Sequence, residues 1–313
     1  PAWSDADNDG DPDLFLANSG ANRFFRNDGN RFTDATDQVG LQEDGPSFGV
    51  AWGDVDNDGD LDLYAVYFGE GNRLYLNEEG RFRNIGRQSG VALPDDGRSR
   101  GAVWWDFDND GDLDLYVTNS GQPNLLFRND ADQFTEVAEV LGVNVEADSR
   151  GVALADFDND GGLDIYVAIQ NDADRLYHNR EANGNWLIVR PTGLQSSKDA
   201  ICTRFEIVYN GGQRAMREIT GGSSYLSQDA LMAAFGVGDA ERVDILTIRW
   251  PRGIVQQVRD IPANSILDIT EAPPLPPSRI RLDVSAPSIV ANGQAQTLIQ
   301  ASVVNVLNEV VLV

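Results

Sequence analysis

Cysteine, histidine and lysine are almost missing from this 313-residue chain, each occurring once as Cys202, His178 and Lys198. A single cysteine excludes any intrachain disulfide and any cysteine-based zinc cluster. A single histidine removes histidine-rich metal sites and argues against Ser-His-Asp or Cys-His catalysis. No apolar run approaches the roughly 18 residues of a membrane span, and no charged-then-apolar leader precedes Trp3. The chain opens on Pro1 rather than methionine and closes on VLNEVVLV, so it reads as a fragment whose targeting signal lies upstream. Positive charge is also scarce: 24 basic residues face 50 acidic ones, a formal net charge of −26. Such a surface repels phosphate backbones and anionic membranes, so the reading admits no nucleic-acid partner and no direct membrane insertion.

The acidity is placed rather than spread. Residues 1–186 hold 38 acids and 13 bases, while 187–313 hold 12 and 11, and Asp outnumbers Glu by 37 to 13. Four nonapeptides account for much of this: DADNDGDPD (5–13), DVDNDGDLD (54–62), DFDNDGDLD (106–114) and DFDNDGGLD (156–164), offset by 49, 52 and 50 residues. Other residues keep the same phase. Trp3, Trp52 and Trp104 lie two residues before the first Asp of their loops, with Leu154 in the fourth copy. Asn27, Asn77, Asn129 and Asn179 close the segments FFRN, LYLN, LFRN and LYHN, and Phe32, Phe82, Phe134 and Trp186 follow.

Within one repeat, short β-branched and aromatic runs bounded by Gly, Asn and Asp predict four strands and no helix. Units of about 50 residues with four strands suggest propeller blades, which bury their faces only against neighbouring blades. The expected fold is therefore all-β: four blades of a partial propeller over 1–186, then a small β-rich domain over 187–271. APPLPPS (272–278) reads as an extended spacer, and 279–313 as a truncated immunoglobulin-like β segment.

Each loop carries Asp at positions 1, 3, 5 and 9 and Gly at 6, which suits a hard cation. Ca²⁺ takes about six to eight oxygens, and EF-hand loops use the same early carboxylates, a glycine at 6 and a backbone carbonyl at 7. The candidate ligands are Asp5, Asp7, Asp9, Asp11 and Asp13; Asp54, Asp56, Asp58, Asp60 and Asp62; Asp106, Asp108, Asp110, Asp112 and Asp114; and Asp156, Asp158, Asp160, Gly162 and Asp164. Gly162 stands where the other copies have Asp11, Asp60 and Asp112, a swap without effect if position 7 gives only its main-chain oxygen. Without a cation, crowded carboxylates repel by roughly 1–4 kcal/mol per pair at effective dielectrics of 80 to 20. Mg²⁺ prefers a tighter, wetter octahedron, and softer metals prefer sulfur or imidazole. About four Ca²⁺ per chain are expected. One isolated Asn-Asp-Gly run reads equally as a metal-free turn; four in register favour metal, and four separate loops cannot form one catalytic carboxylate pair.

These loops, with Phe48-Gly49, Arg100-Gly101 and Arg150-Gly151 leading into later ones, resemble FG-GAP/VCBS repeats, the calcium-binding blades of integrin α-subunit propellers. The stretch ITGGSSYLSQDALMAAFGVGDAERVDILTIRWPRG is similar to the ASPIC/UnbV domain that follows such repeats in the cartilage acidic protein 1 family. That family's glycines within SSKDAICTR (196–204) are replaced by Ala200 and Cys202, and the tail from Arg279 resembles an immunoglobulin-like adhesin repeat. The resemblance implies an extracellular, calcium-binding propeller acting as a non-enzymatic adhesion or interaction scaffold for a protein or glycan ligand at the cell surface or matrix. Two alternatives are a glycan-binding lectin, which would need an exposed aromatic such as Trp105, and an accessory protein acting through 187–271, which would need Arg204, Tyr225 and Asp229 to converge. The recurring tryptophans read as packing between blades, His178 as a solvated surface residue and Cys202 as a small buried hydrophobe.

Overall fold

Apolar runs this short cannot sustain long strands, and the chain turns back on itself every few residues. A computed structural model describes residues 1–43, 45–94, 96–131, 133–222 and 224–273, with the backbone of 279–284 and 299–304. The first repeat folds as β1 (Ala2–Ser4), β2 (Asp13–Leu16), β3 (Arg23–Asn27) and β4 (Phe32–Asp34), followed by the single turn α1 (Thr36–Val39). The second gives β5 (Ser47–Gly53), β6 (Asp62–Tyr67), β7 (Arg73–Glu78), β8 (Arg81–Asn84) and α2 (Gly86–Ser89). The third gives β9 (Ser99–Trp105), β10 (Asp114–Pro123), β11 (Leu125–Asp130), β12 (Gln133–Glu136) and α3 (Ala138–Leu141). The fourth has β13 (Glu146–Ala155), β14 (Asp164–Ile169) and β15 (Arg175–Tyr177). Each blade is an antiparallel meander, and each Asp loop joins its first two strands. The last Asp of every loop opens the second strand, paired with Ser4, Gly53, Trp105 or Ala155.

Two sequence expectations need correction. Helix was not expected, yet α1, α2 and α3 close the first three blades, each ended by a left-handed glycine, Gly40, Gly90 or Gly142. A four-residue turn is too short to leave an apolar period in the sequence. The fourth blade also lacks its fourth strand, because Trp186 enters β16 (Asn185–Thr192), which belongs to the next sheet.

The core lies between blades. Phe15, Phe24, Leu63, Tyr75 and Phe82 fill the space between the first two, Tyr64, Leu74, Trp104, Leu115 and Phe127 the next, and Trp105, Tyr116, Leu126, Ile165 and Val167 the third. Trp52 meets Phe82 edge-on at 6.0 Å and Trp104 meets Tyr64 at 5.9 Å, as expected of packing residues. Trp105 is buried among Phe107 and Tyr116, 4% exposed, and offers no stacking surface to a sugar. At the two ends the equivalent faces are open: Trp3 and Phe32 on the first blade, and Phe157, Tyr166 and Leu176 on the fourth.

β16 pairs antiparallel with β19 (Ala233–Gly238) and parallel with β22 (Ser265–Thr270), after β17 (Arg204–Tyr209) and β18 (Gln213–Glu218). These last two join β20 (Arg242–Arg249) and β21 (Val255–Pro262) in a four-stranded sheet of order β18-β17-β20-β21. Phe205, Phe235, Leu246, Ile248 and Trp250 pack between the two sheets. This β-rich domain and the blades form one compact unit, Pro1–Glu271. A segment of the domain, Ser224–Ala230, lies along the blades' first strands. Ser224 Oγ accepts the Ala102 N–H (2.8 Å), Ser227 Oγ that of Val152 (2.9 Å) and Asp229 Oδ1 that of Leu154 (2.9 Å). Gly151 permits this approach, since a Cβ there would sit 2.8 Å from Ser227 Oγ.

Residues 272–313 form a separate unit in which β23 (Arg279–Val284) pairs antiparallel with β24 (Ile299–Val304). The rest of the expected immunoglobulin-like segment, and 274–278 of the spacer, lie outside the described residues.

Phe82, 7% exposed between Phe24 and Trp52, anchors the first inter-blade layer. Phe82→Ala should cost about 3–5 kcal/mol in urea unfolding at saturating divalent cation. A loss below about 1 kcal/mol would contradict blade-on-blade packing as the source of stability.

Candidate metal centres

The four loops share one backbone. Asn at position 4 takes a left-handed conformation in every copy (Asn8, Asn57, Asn109 and Asn159, φ 58–62°), as does Gly at position 6 (φ 95–108°). Asn tolerates this region better than other side chains, which explains its presence in all four copies. The turn brings the N–H of position 6 onto the carboxylate of position 1, at 3.1, 3.3, 2.9 and 3.1 Å for Gly10, Gly59, Gly111 and Gly161. The carboxylate at position 9 is fixed twice: it accepts the N–H of position 2 and, at 2.8 Å in every copy, the N–H of Asn27, Asn77, Asn129 or Asn179.

The side chains converge in two patterns. One oxygen from each of Asp5, Asp7 and Asp9, and of Asp54, Asp56 and Asp58, lies within 4.8 Å of the others in its set. In the third and fourth loops the converging sets are Asp106, Asp108 and Asp114, and Asp156, Asp158 and Asp164. Asp60 and Asp112 turn away, accepting the N–H groups of Glu79 (2.9 Å) and Ala131 (3.0 Å) in the outer hairpin turns. Position 7 thus leaves only its carbonyl for an ion, which agrees with Gly162 in the fourth copy. Beside that loop, His178 Nε2 lies 3.1 Å from Asp158 and 3.6 Å from Asp160 and packs against Phe157. It is exposed at the surface, as expected, with its imidazole turned to these two carboxylates.

Burial makes these carboxylates poor anions when nothing neutralises them. It pushes Asp13, Asp54 and Asp106 up to about 7, and Asp62 and Asp114 up to about 9. Burial also raises Asp5, Asp7, Asp58, Asp108 and Asp164, and takes Asp110 to about 6. Asp5 Oδ1, Asp7 Oδ1 and Asp108 Oδ1 are buried without any hydrogen-bond partner. Acceptor-only oxygens left unsatisfied in a hard, oxygen-only cluster fit a bound divalent cation.

Sequence reasoning missed the links between loops. Asn8 Nδ2 donates to Asp60 (2.5 Å), Asn57 Nδ2 to Asp112 (3.1 Å) and Asn109 Nδ2 to the Gly161 carbonyl (3.4 Å), so each position-4 side chain reaches the next blade. In return Asn77, Asn129 and Asn179 donate to the carbonyls of Ala6, Val55 and Phe107 in the preceding loop. The β-rich domain was missed too. Arg204 Nη1 donates to Asn8 Oδ1 and Nη2 to the Asp5 carbonyl (2.9 Å), and Arg204 faces Glu218 at 3.9 Å. Arg217 is half-buried; burial lowers its guanidinium from the ordinary range, and the negative charges of Asp106 and Asp54 oppose that shift. A cleft of about 910 Å³, lined by Asn8, Asp58, Arg204, Glu206 and Arg214 among others, separates this domain from the first two loops. Tyr225 and Asp229 do not join Arg204 there: Tyr225 meets Phe48 edge-on and Asp229 holds Leu154. Ala200 and Cys202 keep the left-handed backbone of the glycines they replace (φ 53° and 66°), and burial pushes the Cys202 thiol up to about 12, which leaves it unreactive.

A raised carboxylate favours the folded chain in its neutral form. That contribution is complete below the ordinary value of 3.8 and is lost as pH climbs through about 7 (Asp13, Asp54, Asp106) and about 9 (Asp62, Asp114). With chelator, the melting temperature should fall as pH rises from about 5 to about 9, and saturating calcium should flatten that slope. A chelated protein whose melting temperature is level across this range would show that the carboxylates are not buried as described.

A family model described as FG-GAP-like repeat matches residues 5–65, 62–117 and 106–167, and one described as ASPIC and UnbV matches 193–274. No curated protein matches the chain. Among solved structures it is similar to a Tc holotoxin pore of Photorhabdus luminescens, at 17% identity and a TM-score of 0.31, over 79% of this chain and 10% of that one. The chain therefore spans about a tenth of that protein's length. Because the repeat matches run without a break from residue 5 to residue 167, over half of the 313 residues, the chain belongs to the FG-GAP-like repeat family and carries an ASPIC/UnbV domain after its repeats.

Proposed function

We propose that this chain is a calcium-binding propeller segment, one ion per Asp loop, that serves outside the cell as a non-enzymatic interaction scaffold. The observation that carries the reading is the set of buried, partnerless carboxylate oxygens of Asp5, Asp7 and Asp108, recurring in loops of one shared geometry. In each loop the carboxylates of positions 1, 3, 5 and 9 and the carbonyl of position 7 would hold the ion. Bound Ca²⁺ supplies charge neutralisation and an oxygen-liganded rigid node. Four ions would reduce the formal charge from −26 to −18. Millimolar calcium outside cells suits sites of moderate affinity.

The scaffold reading is supported by how the chain spends its polar groups. Arg204, Tyr225 and Asp229, the groups an enzyme would have needed together, each hold one domain part against another. Trp105, the aromatic named for the lectin alternative, is buried.

Calcium titration by calorimetry and elemental analysis should give about four ions per chain, and chelation should lower the melting temperature by more than about 10 °C. Asp108→Asn should remove one ion and leave the others. Two or fewer ions per chain in the wild type would refute the model of one ion per loop.

A further inference from the structure

The ends of the blades' first strands opposite the Asp loops carry arginine and aromatic residues in a chain otherwise short of positive charge. Arg100 lies one residue before Gly101 on β9, and its guanidinium sits 4.3 Å from the Phe48 ring and 4.4 Å from the Phe68 ring. The two rings meet edge-on at 5.8 Å, and Phe48 also meets Tyr225 at 5.7 Å. Such stacking fixes the plane of a guanidinium and leaves its edge for in-plane hydrogen bonds. No hydrogen bond or ion pair to that guanidinium exists among the described residues, and Arg100 Nε is buried without a partner.

Its surroundings favour an anion. Arg150 occupies the equivalent position on the next blade, and its positive charge adds to burial in holding Arg100 below its ordinary range. The nearby acid Asp148 is already committed, to Arg150 at 2.7 Å and to the hydroxyl of Ser120 at 2.5 Å. Next to Tyr225, Leu226 is 80% exposed on a left-handed backbone (φ 53°), an apolar side chain held in solvent by the Ser224–Ala230 segment. Tyr225 and Leu226 are the two residues of the turn closed by the Ser224–Ser227 bridge, which accounts for the left-handed backbone and holds the apolar side chain of Leu226 in solvent.

We propose that Arg100, held against Phe48 and Phe68 and neighboured by Arg150, docks a carboxylate side chain carried on an extended segment of a partner protein. One planar carboxylate matches the free edge of one guanidinium. A polyanionic chain is disfavoured by the −26 net charge and by Asp148 within the patch. This site rests on the scaffold reading above and names the chemistry of its ligand.

The test uses the full, calcium-loaded chain and follows arginine Nε–H signals by NMR. The probes are an acetylated Leu-Glu-Leu peptide amide, its Leu-Gln-Leu counterpart and a heparin hexasaccharide. Saturable shifts are expected for the Glu peptide, at least tenfold weaker binding for the Gln peptide, and loss of the response in Arg100→Ala. Arg100→Lys, which retains charge and stacking but not the planar fork, should bind the Glu peptide roughly tenfold more weakly. Equal binding of both peptides, an unchanged response in Arg100→Ala, or tighter Arg100-dependent binding of heparin would overturn the proposal. Ion content is measured on the same samples. Four retained ions without peptide binding would sink this site alone, whereas a failed ion count would sink the scaffold reading itself.

Discussion

Electrostatic crowding of carboxylates is the constraint on which the rest of this molecule depends. Each loop packs four or five acids into one turn, and the structure then buries several of them beneath a second strand and an outer hairpin. Burial raises the cost of every negative charge, and backbone N–H groups repay only part of it. Asp62 and Asp114 accept two N–H groups each and still resist ionisation. These donors settle the geometry of the loop by themselves, so the cation proposed above would meet a cage that is already shaped.

The ASPIC/UnbV domain takes part in that balance. Arg217 reaches the field of Asp54 and Asp106 from outside the repeats, and Arg204 holds the Asp5 carbonyl and the Asn8 amide of the first loop. Its Ser224–Ala230 segment meanwhile satisfies first-strand N–H groups on the third and fourth blades, which would otherwise be open edge positions. Repeats and domain thus form one compact unit although the repeat period stops between them.

Much of this was legible in the sequence. The phase of the Asp loops and of the aromatic residues gave the blades and their inter-blade packing, because spacing and hydrophobicity act locally. What the sequence hid has physical reasons. One-turn helices are too short to show a period. Trp186 keeps the phase of Phe32, Phe82 and Phe134, yet tertiary pairing with Gly236 captures it into another sheet. The repeated asparagines were visible as letters, but their amides work across blades, a distance no local pattern encodes. Ala200 and Cys202 looked like lost glycines; the surrounding structure holds both in the left-handed region regardless, so letter and conformation disagree.

The position-4 asparagines give the array a direction. Each amide leaves the coil it was encoded in and ends on the following one, from Asn8 to Asp60, from Asn57 to Asp112 and from Asn109 to Gly161. A lesion at such an asparagine is therefore felt twice: its own coil loses the residue best suited to the left-handed turn, and its successor loses a fastening. Defects mapped by residue number in this array will extend one unit beyond the position that carries them.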